Sequence, residues 1–201
     1  MADTNSRAKH LTFAINYGFA SGPVHSKKLR KLAAQAGFKQ APITKADIVI
    51  AHSAGCWLLP SDIRPKLIIY VGMPLATGRA QHIWLRANLA SFKEGNTRHN
   101  LSTRVKNTYY GLRQPRRNLR IVREAKHKIG HPTLFSNVLA VFIANRRDLW
   151  PKSDTRQAAL LAEQQWAFIS LPGNHDDIWE KPERYVAIME HYGKILAQTD
   201  R

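Results

Sequence analysis

The residues best equipped for chemistry in this chain are a serine, an aspartate and a histidine that lie far apart along it. Ser53 stands in Ile48-Val-Ile-Ala51-His52-Ser53-Ala54-Gly55-Cys56-Trp57-Leu58-Leu59, where an apolar strand-like run breaks at a tight turn and an apolar helical run begins. The residues two before and two after the serine, Ala51 and Gly55, are small, as a turn that lifts a hydroxyl above a strand end requires. A serine hydroxyl is a weak nucleophile; it needs a general base, and the base needs a carboxylate to orient it. Asp148 falls in Ala144-Asn-Arg-Arg-Asp148-Leu-Trp-Pro151 and His175 in Leu171-Pro-Gly173-Asn-His175-Asp-Asp-Ile-Trp-Glu-Lys-Pro182, each just past a β-competent run. Loops at the carboxyl ends of strands are where open parallel sheets assemble their sites. The set suits attack of Ser53 on a carbonyl, with His175 as base and Asp148 as its orienter. A serine at an ordinary strand-to-helix turn is the plainer alternative.

Rival residues weigh less. Asp154 begins Asp154-x-x-Gln157, a capping box at a helix start. Asp176 and Asp177 adjoin His175 too closely in sequence to reach its ring, and are expected to hold the loop instead. His52 is expected to point away from the catalytic group. Cys56, on the helix after the turn, reads as a buried core residue. The remaining histidines have no metal-site spacing, and a single cysteine excludes an internal disulfide and four-cysteine zinc sites. No metal or organic cofactor is implied.

Positioning such a site takes a framework. Residues 11–16, 47–51, 66–71, 138–144 and 167–171 are short, continuous apolar runs, the pattern of strands buried on both faces. Helical spacing lies between them: from a Ser26 cap through Ala36 with Gly37 as stop, around 156–165, and from Pro182 onward. Tyr185, Ile188, Met189, Tyr192 and Ile195 share one face of that last helix. Alternating strands and helices make an α/β protein with a mainly parallel sheet of about five strands covered by helices.

Over nearly its whole length the chain resembles the α/β-hydrolase superfamily. The elbow at Ala51-His52-Ser53-Ala54-Gly55 and the Gly173-x-His175-Asp176-Asp177 stretch before a Pro-started final helix carry the resemblance. It implies a catalytic triad of Ser53, Asp148 and His175, in that chain order, and an oxyanion hole built from two backbone N–H groups. Ala54 would supply one. Phe19 would supply the other, from Tyr17-Gly18-Phe19, where the family commonly has His-Gly-x. The resemblance also implies that the two N-terminal strands of the full fold are missing.

Residues 75–137 break the rhythm. Their spacing is helical but diluted by charge: thirteen Arg and Lys are opposed by Glu94 and Glu124 alone. This stretch holds most of the formal charge of +17. It reads as a helical, strongly basic cap inserted in a hydrolase core of residues 1–74 and 138–201. Such a field attracts anions, and Trp84, Phe92, Tyr109 and Tyr110 are interleaved with it. An anionic membrane surface or nucleic acid could meet the cap, although no nucleic-acid-binding motif is present. No apolar run approaches the roughly 20 residues that span a bilayer, and no secretory signal leads the chain, so a cytoplasmic protein is expected.

The expected activity is hydrolysis of an ester, thioester or small amide through an acyl-enzyme, on a small acyl substrate, an anionic one being drawn by the cap's charge. A non-catalytic binder of polyanions on a hydrolase scaffold is the competing expectation, and an interfacial lipase a third.

Overall fold

Val, Ile, Leu and Tyr in unbroken runs leave no polar edge to turn toward water, so such strands must be covered on both sides. The computed structural model describes residues 11–18, 21–73, 105, 109, 112–117, 119, 120, 123, 135, 138–146, 148 and 167–199. Six strands form one sheet: β1 Thr12–Asn16, β2 Lys39–Gln40, β3 Ile48–His52, β4 Leu67–Val71, β5 Leu139–Asn145 and β6 Ala167–Leu171. Their order is β2-β1-β3-β4-β5-β6 and every pairing is parallel. The five expected strands are all present, each within a residue of its expected bounds. The sixth, β2, is two exposed polar residues on the sheet edge.

Alternation along the strands divides the core in two. Ala14, Val49, Ala51, Ile68, Tyr70 and Phe142 face one side, packed with Cys56, Leu59, Ile63 and Met73. Phe13, Ile48, Ile50, Leu67, Ile69, Val141 and Ile143 face the other. That second face is covered by Leu29 and Ala33 of helix α1 (Lys27–Gln35) and by Tyr185, Val186, Met189 and Leu196 of α3 (Pro182–Thr199). Burying one such large apolar side chain contributes about 1.5–3 kcal/mol, so these two helices are held by their stripes. A short helix, α2 (Asp177–Glu180), precedes α3. The final helix starts at Pro182 as expected, where the missing N–H costs nothing.

Two local readings differ from expectation. Ser26 stands at the start of α1 but makes no side-chain cap; its hydroxyl is engaged by the Tyr17 hydroxyl at 2.6 Å and donates to the Pro23 carbonyl at 3.1 Å. The segment after the serine turn is a 3-10 helix, Ser53–Leu58, and not an α-helix. Only six residues separate the turn from an extended Leu59 and Pro60, too few for stable α-helical turns.

The strand order reverses between β1 and β3. The chain leaves β1 outward to β2, then returns to β3 and proceeds through β4, β5 and β6 the other way. Ligand sites in open α/β sheets form at such a reversal, beyond the carboxyl ends of the strands. Between the neighbours β4 and β5 runs the crossover that contains the basic stretch, of which residues 105, 109, 112, 113, 115–117, 119, 120 and 123 are helical. The expected boundaries of the insertion, the helix at 156–165, Asp154 and Phe19 lie outside the described residues. No described helix is long and apolar enough to cross a membrane.

Candidate active site

Ser53 occupies the turn at the end of β3, and its backbone sits at φ +53°, unlike any other described residue except glycines. A side chain in the left-handed region costs of order 1–2 kcal/mol, and such strain is retained where the surroundings impose it. Here they do. A methyl group on Gly55 would fall 2.5 Å from the Asn16 carbonyl oxygen and 2.8 Å from the Tyr17 carbonyl, so the elbow is pressed onto the chain leaving β1. The Asn16 side-chain amide donates to the Gly55 carbonyl at 2.6 Å and closes the same contact. Gly18 lies against the elbow from that side as well, within 2.8 Å of Ser53 Cβ and 3.3 Å of the Ala54 nitrogen, measured from where its Cβ would be. Ala54 is thereby buried beside the turn.

Asp148 and His175 come together although they leave different strands. His175 Nδ1–H donates to Asp148 Oδ2 at 2.8 Å, with the two side chains 14% and 10% exposed. A carboxylate partner on Nδ1 leaves Nε2 as the basic nitrogen. The Asp148 N–H donates to the Asn145 carbonyl at 2.9 Å, which ties it to the end of β5. The His175 loop is fixed by an Asx turn, in which Asn174 Oδ1 accepts from the Asp176 N–H at 2.9 Å. Asp177 is buried and accepts from Arg184 at 3.2 Å and from the Tyr185 hydroxyl at 3.4 Å, so it ties the loop to α3. Burial raises the Asp176 carboxyl from its ordinary range, with His175 acting the other way.

Gly72 was not singled out from the sequence. It follows β4 at φ +55°, and a methyl group there would lie 3.1 Å from Asp148 Oδ2 and 3.3 Å from His175 Nδ1. The aspartate–histidine pair occupies the space a side chain would take. In the sequence Gly72 looks like an ordinary strand terminator.

His52 does not turn away as expected. It is 2% exposed; its Nε2–H donates to the His175 main-chain carbonyl at 2.9 Å, and the two rings stand 4.8 Å apart. Trp179 packs edge-on against it at 5.0 Å and stacks with Tyr17. Since β3 side chains alternate, His52 falls on the face that α2 covers, which directs it under the His175 loop. Burial first, and the neighbouring His175 second, push its pKa down from 6.5 to about 3. The unfolded chain therefore takes up a proton below about pH 6.5 that the folded protein refuses until about pH 3. Stability is complete above 6.5 and is lost as the pH falls toward 3, at about 1.4 kcal/mol per unit. Between pH 8 and pH 5 this group should cost the fold about 2 kcal/mol. His52→Gln keeps a donor without titrating, and urea unfolding at the two pH values should give a correspondingly flatter dependence. Equal slopes for the two proteins would remove this account.

Cys56 is fully buried, with its thiol toward the Ala51 carbonyl at 3.3 Å, and burial drives its pKa far up. It is a core residue. Among the described residues no group of three His, Cys, Asp or Glu could hold a metal ion.

From the basic stretch, Arg117 reaches the chain beyond β1. Its guanidinium donates to the Tyr17 carbonyl, to the Ser21 carbonyl at 3.1 Å and to the Gln114 side chain at 3.0 Å. Burial lowers its pKa, and Tyr17 opposes that shift.

No protein-family model and no curated protein matches this sequence. Solved structures do. A structure from work on carboxylesterases of the thaumarchaeon Nitrososphaera gargenis aligns over 96% of this chain and 93% of its own, at 12% identity and TM-score 0.61. An esterase from Exiguobacterium antarcticum aligns over 92% of each chain, at 10% identity and TM-score 0.61. The RedJ thioesterase of the prodiginine pathway in Streptomyces coelicolor covers 94% of this chain with 86% of its own, at 13% identity and TM-score 0.52. With its parallel sheet, its strand order and these likenesses in architecture, the chain has the α/β-hydrolase fold.

Proposed function

We propose that this protein is a carboxylesterase-like serine hydrolase that cleaves an ester, thioester or small amide through Ser53. The observation that carries the reading is the 2.8 Å Asp148–His175 bond, with the His175 ring 4.8 Å from that of His52, the residue before the strained Ser53. His175 Nε2 takes the Ser53 proton as Oγ bonds to the substrate carbonyl carbon, while Asp148 fixes the ring and stabilises its cation. The carbonyl oxygen becomes an oxyanion received by the Ala54 N–H and, as the resemblance implies, by that of Phe19. Collapse expels the alcohol, thiol or amine, which leaves with the proton from His175, and water then attacks the acyl-enzyme by the same route. The structural neighbours that are esterases and thioesterases support the reaction class.

A fluorophosphonate probe should label the folded protein once, and peptide mass spectrometry should find the adduct on Ser53. Acyl esters graded in chain length and charge would then define the substrate, with faster turnover of anionic members expected from the cap's charge. A folded protein that is never labelled, yet binds polyanions in a steeply salt-dependent way, would replace this reading with a non-catalytic one.

A further inference from the structure

Arg117 is an arginine in a crowd of exposed ones, yet its contacts differ from theirs. Arg113, Arg116, Arg120 and Arg123 are exposed, and Arg113 lies over the Tyr109 ring at 4.7 Å. Arg117 is half-buried and directs its guanidinium into the main chain beyond β1, across roughly a hundred residues of sequence. One nitrogen donates to the Tyr17 carbonyl; another serves the Ser21 carbonyl and the Gln114 side chain. The planar fork of a guanidinium reaches the two carbonyls from two separate nitrogens, whereas an ammonium offers donors from one nitrogen only.

What it grips matters. The chain at Tyr17 and Gly18 is the surface on which the elbow rests, with Gly18 against Ser53 Cβ and the Ala54 nitrogen. In the sequence the gripped residues, Tyr17 and Ser21, flank Phe19, the expected second oxyanion donor. Other bonds brace the described part of this loop as well. Ser21 turns its hydroxyl back to the Gly18 carbonyl at 3.1 Å, and the Tyr17 hydroxyl meets Ser26 at 2.6 Å. Neither joins the loop to the segment beyond β4.

We propose that Arg117 is a positioning residue, a clamp by which the basic insertion holds the loop after β1 against the Ser53 turn and so sets the oxyanion-stabilising geometry. The role rests on the hydrolase reading above. It acts on the transition state more than on substrate capture, because the guanidinium is turned to the main chain of this loop and to Gln114. Loss of the clamp therefore lowers kcat and leaves KM nearly unchanged.

The test compares the full-length protein with Arg117→Lys and Arg117→Ala, each checked for folding by circular dichroism and thermal melting. With a short neutral acyl ester, kcat should fall about 10- to 100-fold in both variants, as expected for a small misplacement of reacting groups. KM should stay within about threefold. The rate of fluorophosphonate labelling should fall with kcat. Added guanidinium or ethylguanidinium, well below denaturing concentrations, should restore part of the Arg117→Ala rate and leave the wild-type rate unchanged. A lysine variant with full kcat, a loss confined to KM, or no rescue in a folded alanine variant would overturn the clamp. An unlabelled and inactive wild type would overturn the hydrolase reading and this role with it; an active, Ser53-labelled wild type with unaffected variants would overturn the role alone.

Discussion

Ser53→Ala should remove ester hydrolysis almost entirely, with kcat falling about a millionfold while the protein stays folded. The size follows from the mechanism. In the proposed mechanism Ser53 is the nucleophile and the turn His52–Leu58 carries no other hydroxyl, so no side chain there can take over acyl transfer. What remains in the proposed mechanism is the slow attack of water helped by the proposed oxyanion donors. His175→Ala should cost nearly as much, and the double variant no more than either alone, because nucleophile and base act as one unit. Burst kinetics with a chromogenic ester would check all three. Independent losses that multiply in the double variant would contradict the shared proton path. Ser53→Gly adds a separate reading of the same site. Its φ of +53° suits glycine, so this inactive variant should be more stable than the wild type by about 1 kcal/mol. A serine that costs stability where glycine would not is the trade between activity and stability expected of a functional turn.

The second large effect belongs to Gly55. A Cβ there would stand 2.5 Å from one main-chain oxygen and 2.8 Å from the next carbonyl, and neither can rotate aside. Gly55→Ala must therefore separate the elbow from the end of β1 and break the 2.6 Å bond from Asn16 to the Gly55 carbonyl. Overpacking of this kind costs typically 1–3 kcal/mol, and loss of the buried bond adds about 1 more. The displaced atoms are those that carry Ser53, so kcat should fall about 100-fold in whatever fraction remains folded. Urea unfolding and active-site titration would separate the two losses. Wild-type stability and rate in Gly55→Ala would mean that the strand end and the elbow are not held together as described.

Much of the framework was legible because a few residues carry unambiguous physics. Apart from the terminal His52 of β3 and Asn145 of β5, the runs in β3, β4 and β5 are apolar at every position, which only a sheet covered on both faces satisfies. Small residues around Ser53 marked the tight turn, and Pro182 the start of α3. β2 was illegible, since Lys39 and Gln40 are polar, exposed and joined to the sheet through main-chain bonds alone. Ser26 carried a capping signal, but a tyrosine hydroxyl nine residues away competes for its side chain. At the candidate site, Asp148 and His175 could be named from their places after strands. Gly72, His52 and Arg117 could not, because their significance lies in tertiary contacts. A buried neutral histidine and an exposed one have the same letter, and one arginine among thirteen cations has no local mark that it bends back toward β1.

The pairing of β4 with β5 has a consequence for synthesis. Five apolar residues of β4, Leu67–Val71, find their second partner only when Leu139–Asn145 has been made. At ribosomal speeds of about 5–20 residues per second, that interval is roughly 4 to 15 seconds. Throughout it the nascent chain carries an apolar strand with unpaired amide and carbonyl groups along one side, open to pairing with another polypeptide. Recovery of this protein from cells should therefore depend on translation rate and chaperone supply more steeply than the stability of its finished sheet would suggest.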